Sequence, residues 1–227
     1  MESFRSAVEV GVDMIETDVH LTKDNVLVLM HDHDVKCTTN GEGLIREMTY
    51  EEIKKLDAGT EDNPALVPTL REFLEYCANI PDLTLDLEIK VYLEDEGPER
   101  VAYTVDETVK MCEELGLGKR VMFNCFDAYI LEYIYKNYGR KFILHGYYPY
   151  SHMGNIKLDP VLYLDYACYW AGGEEAKKIC EELKALNIEP CTGSNTKEKD
   201  FFEAVEYGCT IFTENDPKSM IEWRNRL

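Results

Sequence analysis

Two stretches of the chain alternate between ionisable residues and apolar or neutral ones, a period that is typical of a half-buried β-strand. In the first stretch Glu16 and Asp18 are two positions apart, so they share one face of the strand. In the second stretch Asp86, Glu88 and Lys90 share a face, and the residues between them are apolar. Because burying several ionisable groups is costly, we predict that these two strands line a functional site.

Short apolar runs alternate with helix-like segments along most of the chain, and this order predicts parallel βα units and an α/β fold. The seven main predicted strands lie at 13–19, 83–90, 120–124, 141–145, 161–166, 188–192 and 210–213. An added strand is predicted at 26–30, and the eight helices at 4–10, 48–53, 69–76, 98–115, 127–137, 174–186, 199–207 and from 217.

The first predicted helix has no strand before it, whereas a closed TIM (β/α)8-type barrel needs eight strands and eight helices in roughly 250 residues. We therefore predict a TIM-type barrel whose first strand is missing, in a single domain over 1–227. Residues 32–66 are polar and rich in turn residues, so we predict a small inserted segment after the second barrel strand. The edges of an open barrel invite pairing, and a homo-oligomer would cover them.

The carboxylates of Glu16 and Asp18 would repel each other unless a cation lies between them. Oxygen ligands of this kind suit Mg²⁺, Ca²⁺ or Mn²⁺. The competing interpretation is a solvated edge strand, and the apolar residues on both flanks argue against it. The run at 26–30 then leads into His31 and Asp32, which brings an imidazole back towards the two acids.

Composition excludes several classes of partner. The formal net charge of -20 argues against a nucleic-acid partner and against adhesion to an anionic membrane. The chain lacks an apolar run of about 20 residues, so we predict no stable membrane insertion. The eight cysteines form no C-x-x-C pair and no signal peptide is visible, which together predict reduced, buried thiols in a cytoplasmic protein.

Several motifs in order resemble those of the glycerophosphodiester phosphodiesterases. They are the stretch from Gly11 to Asp24, His31-Asp32, Thr38 to Gly43, Leu56 to Gly59, Val67 to Leu70, Leu87 to Lys90, Phe126-Asp127, Gly208 and Thr213 to Pro217. The resemblance is dense over 1–90 and diffuse afterwards. It implies a TIM barrel with an insertion after the second strand, which agrees with the fold predicted from the pattern.

The resemblance also implies an activity: metal-dependent hydrolysis of glycerophosphodiesters to glycerol 3-phosphate and an alcohol. Carried over by motif, Glu16, Asp18 and Glu88 would bind a divalent cation, Mg²⁺ or Ca²⁺. His31 would be one of two acid–base histidines, and Lys90 would face the phosphate. In the mechanism implied for the family, the glycerol 2-hydroxyl attacks first and water then opens a cyclic phosphate.

The sequence departs from the family pattern in two places. The family carries His-Arg-Gly and Pro-Glu-Asn-Thr motifs on its first strand, and neither occurs in these 227 residues. Since His-Arg-Gly would supply the second histidine and an arginine, we expect hydrolysis by this chain to be impaired. Cys37 also stands where the family usually has arginine. The alternative function is a non-catalytic protein that binds a metal and a phosphodiester on the same barrel.

Other residues keep two interpretations open. His33 competes with His31 for the acid–base role, although the His-Asp spacing favours His31. His20 could line the site but is predicted to be solvent-exposed, and Asp86 could reach the metal or be a buried hydrogen-bonding group. His145 could line the site or lie in the core. An aromatic set could bind a quaternary ammonium or only pack the barrel rim: Tyr147, Tyr148, Tyr150, Tyr163, Tyr166, Tyr169 and Trp170.

Overall fold

The computed structural model describes residues 1–193 and 197–227, which divide into two compact units. The first unit comprises 1–6 and 13–123, and the second comprises 7–12 and 124–227. The single domain predicted over 1–227 stays a prediction. The helices are α1 Glu2–Val10, α2 Tyr50–Ile53, α3 Leu70–Ala78, α4 Leu93–Glu114, α5 Ala128–Tyr138, α6 Gly173–Ala185, α7 Glu198–Tyr207 and α8 Pro217–Arg224. The strands are β1 Met14–Leu21, β2 Leu27–Leu29, β3 Thr84–Ile89, β4 Val121–Asn124, β5 Ile143–Tyr147, β6 Tyr166–Tyr169, β7 Glu189–Gly193 and β8 Ile211–Thr213.

The sheet of the first unit is ordered β2-β1-β3-β4. β1 and β3 are parallel, in a register that places Glu16 beside Asp86 and Asp18 beside Glu88. Since paired residues on parallel strands project to the same side, all four carboxylates lie on one face. The side chains between them on β3, such as Leu85 and Leu87, are completely buried on the other face. The sequence alternation therefore sets which residues share the acidic face.

The predicted insertion has a small hydrophobic core of its own, made with β2 and its flanks. The core consists of Val28, Met30, Val35, Ile45, Ile53 and Val67. Within the insertion, Thr49 and Glu52 form a capping box at the start of α2. Asp24 accepts a hydrogen bond from the Tyr50 backbone N–H at 2.9 Å, which ties this helix to the turn after β1. β2 runs antiparallel to β1, as a hairpin partner.

The second unit contains a parallel run of strands in the order β5-β6-β7-β8, with α6 and α7 between successive strands. Asp127 caps the N-terminus of α5, because its side chain accepts from the Tyr129 N–H, and Gly139 is the C-cap residue. The pattern predicted these elements, with β5 and β6 displaced along the chain.

The strand predicted at 161–166 is wrong. The structure has a 3-10 helix at Pro160–Leu162 and places β6 at Tyr166–Tyr169. Asp159 caps the 3-10 helix by accepting from the Val161 N–H at 3.1 Å, and Pro160 occupies its first turn. Because this helix start occupies the apolar run, the run forms a helical turn instead of a strand. The strand β6 therefore begins later in the chain than predicted.

The predicted start of the fourth helix near Pro98 corresponds to a break inside α4. Gly97 has φ 78°, a left-handed conformation that glycine adopts readily, and it separates a first turn from the remaining helix. The other expected helix start, Thr69, caps α3 in a capping box with Glu72. All eight cysteines lie in the described residues and carry thiols, and only Cys37 is exposed.

Candidate metal and phosphodiester site

Three carboxylates from β1 and β3 converge in the first unit. Glu16, Asp18 and Glu88 each offer one oxygen, and these oxygens lie within 4.8 Å of one another. The convergence follows from the parallel register, because Asp18 and Glu88 are direct partners and Glu16 lies one side-chain repeat away. The three predicted metal ligands are thus neighbours in one group.

Lys90 lies beside this group and forms two ion pairs. Its Nζ is 2.6 Å from Glu88 Oε1 and 3.2 Å from Asp18 Oδ1. The side chains of Lys90, Asp18 and Glu88 are 11%, 11% and 8% exposed, so the pairs are largely shielded from water. Burial alone would lower the pKa of Lys90, but Glu88 and Asp18 together raise the pKa above its ordinary value. The ammonium therefore stays charged among the acids.

Glu16 is compensated much less than Asp18 and Glu88, because Lys90 pairs with those two and only weakly lowers the pKa of Glu16. Its Oε1 is buried and has no hydrogen-bond partner among the described residues. Burial raises the pKa of Glu16 to about 9, and the nearby carboxylates of Asp18, Asp86 and Glu88 add to the rise. Burial also raises the pKa values of Asp18 and Glu88, although Lys90 opposes both shifts. The site thus carries more negative charge than its own lysine neutralises.

This donor set fits a hard divalent cation. Three carboxylate oxygens within a few ångströms are the ligands that Mg²⁺ and Ca²⁺ prefer, and the unpartnered Glu16 oxygen is available to such an ion. A cation there would restore the ionised form of Glu16 by offsetting the charge repulsion. Glu16, Asp18 and Glu88 are the side chains that would hold it.

His31 lies just past β2, close to the acidic group. Its side chain is 74% exposed, and Nδ1 is 3.1 Å from Asp32 Oδ1. The Met30 N–H donates to the carbonyl oxygen of Asp18 at 3.2 Å, which anchors the segment before His31 to the strand that bears the acids. Burial raises the pKa of Asp18, and electrostatic attraction from His31, after that from Lys90, opposes the rise. The imidazole is therefore accessible to a ligand that approaches the carboxylates.

His20 and His33 form a pair of contacting histidine rings near the site. Their rings are 4.9 Å apart in an edge-to-face contact, and the His33 ring is 5.3 Å from the ring of Tyr92. The expectation that His20 is solvent-exposed is wrong, since the residue is 2% exposed. Burial, helped by His33 and Lys90, lowers the pKa of His20 to about 3, so its ring is neutral. Burial, and then Lys90, also lowers the pKa of His33.

One residue of this region, Tyr92, was not singled out by the sequence. Tyr92 directs its hydroxyl at Glu88 Oε1, at 3.5 Å, and completes the wall formed with His33. Asp86 is fully buried next to Glu16 in the strand register. The available signal for Tyr92 was its position two residues after Lys90, where a barrel strand gives way to its loop.

Fold and site together define a class: an α/β protein of TIM-barrel type with an acidic group and a lysine on the loop-proximal part of two adjacent parallel strands. Comparison with known proteins narrows this class. The profile of the glycerophosphoryl diester phosphodiesterase family matches residues 1–185. The chain belongs to that family, as the sequence motifs predicted.

Curated relatives agree with this assignment. A glycerophosphodiester phosphodiesterase of Caldanaerobacter subterraneus subsp. tengcongensis is 38% identical over 138 residues, covering 59% of this chain and 54% of the relative. A putative glycerophosphodiester phosphodiesterase of Bacillus subtilis is 47% identical over 77 residues, or 32% of each chain. The matched segment thus spans about half of the first relative and a third of the second.

Solved structures show the same fold at low sequence identity. A putative glycerophosphoryl diester phosphodiesterase from Silicibacter pomeroyi has a TM-score of 0.83 and 19% identity, over 100% of this chain and 88% of that chain. A phosphodiesterase from Oleispira antarctica was solved in complex with the product sn-glycerol-3-phosphate. It has a TM-score of 0.81 and 19% identity, over 99% of this chain and 90% of that chain. The predicted α/β fold of TIM-barrel type is therefore confirmed. No helix in the described ranges is long and apolar enough to cross a membrane.

Proposed function

We propose that this protein hydrolyses glycerophosphodiesters to glycerol 3-phosphate and an alcohol, with a divalent cation, Mg²⁺ or Ca²⁺, bound by Glu16, Asp18 and Glu88. The observation that carries the proposal is the group of three carboxylates, two of them buried and Glu16 half-buried, with a lysine against the two buried ones. Membership of the family and the product bound to the Oleispira antarctica relative support it. When bound, the cation would supply charge neutralisation at the phosphate.

Lys90 is suited to hold the anionic phosphodiester beside the carboxylates. Its ammonium is charged, shielded and held by Asp18 and Glu88, so it can turn towards a phosphate oxygen without desolvation from bulk water. Fixed positive charge at a phosphate is most effective where water is excluded. We expect Lys90 to contribute to both substrate binding and rate.

His31 is proposed to move the proton in the reaction. An imidazole can accept or donate a proton near neutral pH, and the exposed ring of His31 can approach a bound ligand. His33 provides the matched control, because it lies close by but packs against His20 and Tyr92. His31→Asn should flatten one limb of the pH–rate profile, whereas His33→Asn should leave the shape of the profile intact.

The decisive assay is the release of glycerol 3-phosphate from glycerophosphocholine, with and without EDTA and with Mg²⁺ or Ca²⁺ restored. Activity should fall with EDTA, recover with one of the ions, and disappear in Glu88→Gln but not in Glu175→Gln, an exposed helical control. Unchanged activity in Glu16→Gln, Asp18→Asn and Glu88→Gln alike would reject the proposal. Metal-dependent binding measured by calorimetry, with no product, would instead identify a non-catalytic binding protein.

We further propose that these 227 residues turn over slowly when tested alone, because they contain one histidine of the pair that the family resemblance implies. A general acid or base typically contributes about 10²- to 10⁴-fold. A variant extended at its N-terminus with a family segment bearing His-Arg-Gly should therefore gain activity on this scale. Equal rates for the two chains would contradict this part of the proposal.

A further inference from the structure

A second group of metal-ligating side chains lies in the second unit, on three consecutive strands. His145 is on β5, Cys168 on β6 and Cys191 on β7. In the parallel register, Cys168 is paired with Cys191 on one side and with Tyr147 on the other. His145 and Tyr147 are two positions apart, so all three donors project from the same face of the sheet.

The donor atoms of this group are close and buried. One ligand atom from each residue lies within 4.8 Å of the other two, and Cys191 Sγ is 3.2 Å from His145 Nε2. His145, Cys168 and Cys191 are 4%, 6% and 1% exposed. Each donor sits on a β-strand, so its position is set by the sheet and not by a loop. Such a group is pre-formed and shielded from hard, strongly hydrated ions.

The geometry is close to that of a tetrahedral zinc site. With Zn–S of about 2.3 Å and Zn–N of about 2.0–2.1 Å, tetrahedral ligands are roughly 3.5–3.8 Å apart. The observed separations, up to 4.8 Å, need only small side-chain movements to reach these values. Three protein donors leave the fourth position to a water molecule, as in open zinc sites.

Charge balance favours the same ion. Two cysteine thiolates and a neutral imidazole carry a charge of minus two, which a divalent cation cancels, so the assembled site can be buried without a net charge. Sulfur and imidazole donors select zinc-like ions over Mg²⁺ and Ca²⁺, which prefer oxygen. The carboxylates of the first unit have the opposite preference.

We propose that His145, Cys168 and Cys191 bind one zinc-class divalent cation, at a site separate in chemistry from the carboxylate group. On binding, each thiol sulfur donates a lone pair to the ion and loses its proton to solvent, and His145 Nε2 donates a lone pair in place of its contact with Cys191. No electron is transferred, so the step needs no oxidant. The inference does not depend on the proposed phosphodiesterase activity.

The test uses metal-free protein of the full 227-residue chain, titrated separately with Zn²⁺, Co²⁺ and Mg²⁺. We expect one tight Zn²⁺ site resistant to excess Mg²⁺, release of about two protons per ion, and a thiolate-to-cobalt charge-transfer band with Co²⁺. This spectroscopic signature is read on the unaltered protein, so it does not depend on the folding of any variant. Absence of the cobalt–thiolate band would overturn the proposal.

Matched variants assign the site to these residues. Cys168→Ser and Cys191→Ser should each weaken Zn²⁺ binding by at least about tenfold and reduce the cobalt band. Cys180→Ser is the control, because Cys180 lies 3.8 Å from Cys209 in the same unit but outside this group. Loss of the band in Cys180→Ser but not in Cys168→Ser would contradict the assignment. So would Zn²⁺ binding that disappears only in Glu88→Gln.

Discussion

Two glutamates with buried carboxylate oxygens, one in each unit, contrast a carboxylate that is satisfied within the protein with one that is not. Glu132 on α5 accepts the backbone N–H groups of Lys157 and Leu158 at 2.6 and 2.7 Å and pairs with Lys136 at 3.0 Å. Burial would raise the pKa of Glu132, but these three donors outweigh burial and hold the pKa below its ordinary value. Glu132 is a completed structural contact.

Glu16 is the opposite case. Its buried Oε1 has no partner among the described residues, and burial beside three other carboxylates raises its pKa to about 9. Proteins place such locally unfavourable groups at functional sites, where a bound ion or ligand can compensate them. The contrast teaches that burial alone does not indicate a functional carboxylate. A buried carboxylate oxygen that finds no hydrogen-bond donor or cation within the protein is the better indicator.

The largest expected difference between the two regions is in activity. Glu88→Gln removes a carboxylate from the group that we propose binds the cation, so kcat/KM should fall by at least about 10²-fold, the effect of losing one key electrostatic contact. Glu132→Gln should leave kcat/KM per folded molecule within about threefold, since its contacts are structural. Steady-state assays of both variants, with folding checked by circular dichroism, make the comparison. Equal losses would show that the two regions do not differ in function.

Stability should depend more on Glu132 than on Glu16, the reverse of what we expect for activity. Glu132→Ala leaves two partly buried N–H groups without their acceptor, and each unsatisfied group costs about 1–3 kcal/mol. We expect the free energy of unfolding to fall by about 2–4 kcal/mol. Glu16→Gln should be neutral or stabilising in metal-free protein, because it removes a repelled carboxylate of similar volume. Urea denaturation of both variants in EDTA tests this, and a Glu16→Gln variant less stable than Glu132→Ala would reverse the assignment.

The pH dependence of stability should differ in sign. Glu132 has a lowered pKa in the folded state, so its contribution is present above its ordinary pKa and is lost as pH falls through the folded value. Glu16 has a raised pKa, so the folded protein binds the extra proton and metal-free stability should decrease as pH rises from about 4.5 to about 9. Urea midpoints of the metal-free protein, measured from about pH 4.5 to about pH 9, should fall as the pH rises. Glu16→Gln should remove this fall. A slope unchanged in that variant would contradict the raised pKa.

The smallest expected effect concerns Tyr92, at the edge of the acidic group. Its hydroxyl lies 3.5 Å from Glu88 Oε1, at the limit of a hydrogen bond. Tyr92→Phe keeps the ring contact with His33 and should change kcat/KM by no more than about fivefold, the value of one weak hydrogen bond. A loss comparable to that of Glu88→Gln would place Tyr92 among the groups that contact the substrate.

The acidic site was predictable because its information is local. The two-residue period places Glu16 with Asp18 and Glu88 with Lys90, and adjacent parallel strands then need only the correct register to join them. Metal, phosphate and acid–base roles for these residues and for His31 stay predictions.

Other features depend on distant residues and could not be derived in this way. His20 is buried because β2 and the segment up to His33 cover it, which strand periodicity does not reveal. Cys168 and Cys191 lie close to His145 because the register of three neighbouring strands, β5, β6 and β7, brings them together. The spacing of these residues along the sequence does not indicate this. The displaced β6 shows a further limit, because a single capped proline turn at Pro160 overrides the apolar run that follows it.

The hydrophobic core of the inserted segment is separate from the strands that carry the carboxylates. His31 and the carboxylates are therefore held in place by different parts of the structure. Met30, one residue before His31, packs into that core, whereas the carboxylates stand on the central strands. Loosening the inserted core, for example at Ile45 or Ile53, should disturb His31, which we propose moves the proton, while the carboxylates that we propose hold the cation stay in place. The rate of the proposed reaction should then change while the affinity for the cation stays the same.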